Sequence, residues 1–106
     1  MKSILKRFLL LFIVLTANAE AYQYNQPLMV IRFNSPYVEY EKSLSMAVTA
    51  AVKAKKDVVF DITAGTGARM QGGRVAQDII QLGVKPTNVR LRNSGFNNNE
   101  VLIFVR

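Results

Sequence analysis

The chain has 106 residues, half of them hydrophobic, with no histidine, no cysteine and a formal charge of +7. The missing histidine and cysteine exclude Ser-His-Asp and Cys-His nucleophiles, the common zinc sets and disulfides. The acids Glu20, Glu39, Glu41, Asp57, Asp61, Asp78 and Glu100 show no calcium-loop spacing, so a non-enzyme without metal or cofactor is expected.

The N-terminus reads as a secretory signal. Lys2, Lys6 and Arg7 precede an unbroken apolar run from Phe8 to Leu15, and Thr16 then leads into Ala17-Asn18-Ala19. A charged n-region, a short apolar h-region and an A-x-A site are its three parts. A membrane span needs about 20 apolar residues, and the run here stops well short before Asn18 and Glu20. Cleavage is expected after Ala19 or after Ala21, leaving no transmembrane span. No cysteine follows either site, which closes the lipoprotein route to an anchor. The net charge of +7 includes Lys2, Lys6 and Arg7, so a product cut after Ala19 carries +4. A small, basic, disulfide-free domain of this kind fits a bacterial periplasm, where anionic lipid, cell-wall polymer and acidic protein faces are its natural partners. Its basic residues are dispersed and no aromatic–glycine sheet motif accompanies them, which argues against nucleic acid.

Residues 20–27 form a short polar leader ending at Pro27, and residues 28–106 form one domain. Leu28 to Phe33 predicts a first strand with Met29, Ile31 and Phe33 on one face and Arg32 on the other. Asn34-Ser35-Pro36 breaks it. From Glu41 to about Lys55 the spacing of Leu44, Val48, Ala51 and Val52 predicts a helix, and Lys53, Lys55 and Lys56 near its end complement the helix dipole. Val58 to Thr63 predicts a second strand, Ala64 to Gly73 a glycine-rich loop, and Val75 to Leu82 a second helix with Gly83 just past its end. Asn88 to Asn93 predicts a third strand, Asn93 to Asn99 a turn, and Glu100 to Val105 a fourth strand. The order β-α-β-α-β-β predicts an α+β two-layer sandwich, a mixed sheet with both helices on one face. The opposite sheet face is expected to stay partly open and to carry Arg32, Arg90 and Arg92, their charge offset in part by Asp61 through cross-strand pairing.

The loop Gly65 to Gly73 lies between a strand and a helix, where phosphate-cradling loops occur. The dinucleotide pattern fails because Met70 stands where its last glycine belongs. The P-loop pattern fails because Gly73-Arg74 follow Gly72 instead of Lys-Ser/Thr. What survives is a weaker expectation. Backbone N–H groups at a helix start, flanked by Arg69 and Arg74, suit a carboxylate or another anion, whereas a mobile surface loop is the plainer alternative.

Ile31-Arg32-Phe33, the run Asp57-Val58-Val59-Phe60-Asp61-Ile62, the segment Leu82-Gly83-Val84-Lys85-Pro86-Thr87-Asn88-Val89 and the closing Val101 to Arg106 together resemble the OmpA-like domain, the periplasmic module that holds peptidoglycan in many envelope proteins. The resemblance spans about residues 28–106. In that family the second strand ends in Thr-Asp-x-x-Gly, and the Asp binds the amino acid side of the stem peptide. Thr63 and Gly67 match, but Ala64 occupies the Asp position. The family's arginine near the second helix falls on Gln71, with Arg69 just before it and Arg74 one turn later. The resemblance therefore implies a degenerate OmpA-like domain. It is expected to act as a binding or scaffold module with a protein partner in a cell-envelope or secretion assembly. Peptidoglycan binding through Arg69 or Arg74 is the alternative. The candidate contact residues are Thr63, Gly67, Arg69 and Arg74 on the loop, and Arg32, Arg90 and Arg92 on the open sheet face.

Overall fold

A computed structural model describes residues 26–106. The expected signal peptide, both candidate cleavage sites and most of the expected leader lie outside the described residues. The elements are strand β1 (Met29–Arg32), helix α1 (Glu41–Ala54), strand β2 (Phe60–Ala64), a 3-10 turn (Thr66–Ala68), helix α2 (Arg69–Gln81), a second 3-10 turn (Pro86–Asn88), strand β3 (Val89–Asn93) and strand β4 (Glu100–Val105). This is the expected β-α-β-α-β-β order. Among the described residues, no helix is long and apolar enough to cross a membrane.

The four strands form one mixed sheet in the order β1-β4-β2-β3. β4 is antiparallel to both β1 and β2, while β2 and β3 run parallel. Alternation along the strands then sorts the side chains by face. Ile31, Phe60, Ile62, Ala64, Val101 and Ile103 turn to the helices, where they join Leu44, Val48 and Ala51 of α1 and Val75 and Ile79 of α2 in one buried cluster. Phe60 and Ile62 are wholly enclosed; burying a side chain of that size contributes about 1.5–3 kcal/mol.

Helix α1 buries Leu44, Val48 and Ala51, the expected stripe, but Val52 lies off it and is exposed. Glu41 in its first turn and Lys53 in its last complement the dipole. Gly83 has φ of 109°, the left-handed conformation that ends α2 and that a side chain would resist. Leu82, expected in register with Val75 and Ile79, lies just past the helix and is half exposed. Val58 precedes β2 rather than opening it, although it is buried in the core.

The main departure concerns the second helix. It starts at Arg69, six residues before the expected Val75, so most of the glycine-rich stretch is helical rather than a loop. Glycine has low helix propensity, but tertiary packing overrides it here. Gly72 is buried, and a Cβ placed on it would meet the Ala64 Cβ at 2.8 Å and Leu91 Cδ1 at 3.2 Å. Lack of a side chain lets α2 lie directly on β2, and the contact stabilises the helix where propensity does not.

Gly72→Val is expected to destabilise the protein by about 1–3 kcal/mol, the usual cost of overpacking. Urea denaturation measures it, and an unchanged midpoint would contradict the close approach of α2 to β2.

Candidate functional site

Two surfaces gather the residues singled out in the sequence. The first lies where β2 ends and α2 begins. Thr63 is the penultimate residue of β2, on the open sheet face beside Arg92 and Leu102 in the register. Gly67 sits in the 3-10 turn, and Arg69 is the first residue of α2. Arg74 is five residues further along, and at 3.6 residues per turn the two arginines stand about 140° apart around the axis. Both are exposed, but they do not converge on one ligand position.

The backbone donors just ahead of α2 are already bonded. The N–H of Gly65 donates to Glu100 C=O (2.9 Å), that of Thr66 to Phe96 C=O (3.0 Å), and that of Gly67 to Asn98 C=O (3.0 Å). Thr66 Oγ1 lies 3.0 Å from Asn97 Oδ1, and Ser94 N–H returns to Ala64 C=O at 2.9 Å. The asparagine-rich turn at residues 93–99, with Glu100 after it, thus supplies the carbonyls that hold the 3-10 turn in place. Gly65 has ordinary backbone angles, so its role is space: a Cβ there would collide with the backbone of Asn98. Neither the turn's position nor its role follows from local sequence, because its partners lie about 30 residues away. The run Asn97-Asn98-Asn99 facing two glycines was the available signal.

Ala64, at the position where the OmpA-like motif carries its Asp, is 2% exposed and lies on the helix side of β2 under Gly72. A carboxylate at that position would be desolvated between strand and helix, with no room for it.

Arg74 belongs to a different neighbourhood. The Tyr40 hydroxyl donates to Asp78 Oδ2 at 2.6 Å, and the Tyr40 ring meets Phe33 edge-on at 5.8 Å. This bond ties the start of α1 to α2. Burial pushes the Tyr40 phenol well above its ordinary value near 10, the Asp78 hydrogen bond and charge add to the shift, and the Arg74 charge opposes it.

The second surface is the sheet face away from the helices. Arg32 forms an ion pair with its cross-strand neighbour Glu100 at 2.9 Å. Asp61 does not offset Arg90, its neighbour in the register. Its carboxylate, largely buried, accepts from Arg106 Nε at 2.6 Å. Arg106 reaches it because Arg106 and Val59 exchange two backbone hydrogen bonds beyond the ends of β4 and β2. Arg106 therefore takes up the negative charge that was expected to offset Arg90 and Arg92. The side chains of Arg90 and Arg92 are exposed and make no hydrogen bond or ion pair with any other described residue. Together with Asp61, Phe104 and Arg106 they line a shallow cleft of about 650 Å³. No group of three or more metal-ligating side chains occurs among the described residues.

The chain superposes on solved periplasmic domains. It matches the periplasmic domain of Helicobacter pylori MotB with a TM-score of 0.52 at 23% identity, covering 61% of this chain and 62% of that one. A longer fragment of the same periplasmic domain matches with a TM-score of 0.54 at 18% identity over 71% and 69% of the two chains. The C-terminal domain of H. pylori MotB matches with a TM-score of 0.58 at 18% identity over 76% and 84%. The fold is OmpA-like. At these identities the likeness is one of fold, and the chain spans less than two thirds of the first of these domains. No protein-family model and no curated protein sequence matches the chain. The OmpA-like fold accounts for the shared sandwich, and the chemistry of the two surfaces rests on this chain's own residues.

Gly65→Ala is expected to displace the turn at 93–99 and to speed amide exchange at Thr66 and Gly67, whose protons its carbonyls hold; unchanged protection would refute the packing. Tyr40→Phe is expected to cost about 1–3 kcal/mol near neutral pH, since it removes a hydrogen bond to a charged group. The variant also isolates a pH effect. Above about pH 10 the unfolded chain releases the Tyr40 proton while the folded chain keeps it, so stability falls as pH rises. Urea titrations at about pH 9 and 11 should show a steeper loss for the unaltered protein than for Tyr40→Phe.

Proposed function

We propose that this chain is a non-enzymatic binding or scaffold module of the bacterial envelope, exported to the periplasm, where it holds a protein partner within a cell-envelope or secretion assembly. The fold it shares with periplasmic domains and the N-terminal export signal support the compartment. The observation that carries the reading is Ala64, buried beneath Gly72 where the resemblance calls for the carboxylate that meets the wall peptide. Without one partner of a desolvated charge pair, binding loses about 2–5 kcal/mol, or at least about thirtyfold in affinity. The turn at 93–99 occupies the neighbouring backbone donors as well. Exposed arginines on the open face, Arg90 and Arg92 above all, are the chemistry left for a partner, and acidic protein surface is what they suit.

Wall binding through Arg69 or Arg74 is the competing reading. Sedimentation with purified sacculi distinguishes the two. The scaffold reading expects the protein to wash off in moderate salt and to co-purify from membranes with a defined protein complex. Salt-resistant retention on sacculi that is lost in Arg69→Ala or Arg74→Ala would overturn it.

A further inference from the structure

Among the described residues the sheet has two unpaired edges, and they differ in charge. At the β1 edge, the single arginine, Arg32, is neutralised by Glu100. At the β3 edge, Arg90 and Arg92 have no partner among the described residues. The orientation of the β3 backbone follows from its ladder. Ser94 N–H bonds to Ala64 C=O, and Asn93 is aligned with Ala64. Hydrogen bonding alternates along a parallel pair. Residues 90, 92 and 94 therefore bond inward to β2, and the N–H and C=O groups of Leu91 and Asn93 point outward, whereas the Val89 N–H donates to Pro86 C=O in the preceding 3-10 turn. The side chains alternate with them: Arg90 and Arg92 stand on the open face, and Leu91, 46% exposed, projects on the helix side.

That arrangement specifies an occupant. A strand laid along β3 gains main-chain hydrogen bonds at Leu91 and Asn93, while its own side chains alternate between the two faces. Residues on the open face come beside Arg90 and Arg92, where carboxylates complement them. The residue between them falls beside Leu91, where an apolar side chain covers exposed surface. We propose that the outer edge of β3 binds an extended acidic–apolar–acidic segment of an envelope protein as an added fifth strand. The proposal rests on the scaffold reading and specifies the partner's chemistry.

The probe is a fluorescein-labelled peptide Ser-Glu-Val-Glu-Val-Glu-Ser, titrated by anisotropy against the full chain, with its counterpart carrying Lys for Glu as control. The acidic peptide is expected to bind, to weaken as salt is raised from about 50 to 500 mM, and to lose at least tenfold in affinity in the Arg90→Glu/Arg92→Glu variant. Leu91→Pro removes an N–H that points away from β2 and is expected to abolish binding while the sheet persists. Equal binding of the lysine peptide, or full binding by a folded Leu91→Pro variant, overturns the proposal. Should Leu91→Pro fail to fold, amide exchange in the unaltered chain decides the matter. Protection at Leu91 and Asn93 that rises with peptide supports the added strand, and unchanged protection refutes it. Co-purification separates this proposal from the reading beneath it. A membrane complex that survives Arg90→Glu/Arg92→Glu leaves the scaffold reading standing and refutes the edge, whereas no complex for the unaltered chain refutes the scaffold reading itself.

Discussion

The close approach of α2 to β2 at Gly72 and Ala64 sets the rest of the molecule. Two small residues face each other there, and that gap places the start of α2 against the end of the sheet. A helix starting at Arg69 leaves room for only a short 3-10 turn after β2, and the asparagine-rich turn fits against it. The same contact explains why this end of the domain lacks the acidic group that the OmpA-like motif would bring. Tight helix–strand packing and a carboxylate cannot share the position of Ala64. Packing density and ligand chemistry compete for one site, and here packing occupies it.

On the other side of the sheet, charge is divided between structure and surface. Glu100 and Asp61 each engage one arginine, and the Asp61–Arg106 pair is sheltered enough for its geometry to matter. Exposed pairs contribute little to stability, so the Arg32–Glu100 bridge chiefly sets local charge. What stays uncompensated is concentrated on one edge strand. Charge on a sheet edge discourages indiscriminate pairing, and it also selects the sign of any segment that does pair.

Much of this fold was legible in the sequence because its signals are local. The alternation in Val101 to Val105, the Leu44–Val48–Ala51 stripe and the glycine ending α2 each depend on near neighbours, and each is where expected. Misreadings arose where distant residues decide. Gly72 and Gly73 read as loop formers because their neighbours in sequence cannot reveal Ala64 across the interface. Asp61 was read as balancing its strand neighbours, since nothing local says that Arg106 folds back beside Val59. The bonds that hold the 3-10 turn are hidden for the same reason: the N–H groups of Gly65, Thr66 and Gly67 find their carbonyls about 30 residues downstream. By contrast, Arg90 and Arg92 stand on the exposed face as alternation required.

The position of β4 sets the order of assembly. Last of the four strands in chain order, it lies between β1 and β2, which have no direct ladder of their own. Until β4 arrives, β1 has no strand to pair with, and β2 and β3 form only a two-stranded ribbon, marginal by itself in water. Contacts of such long sequence separation slow folding. A nascent chain therefore carries an unfinished sheet until its final strand is available. Cooperative folding waits for that strand to be inserted as a keystone between β1 and β2.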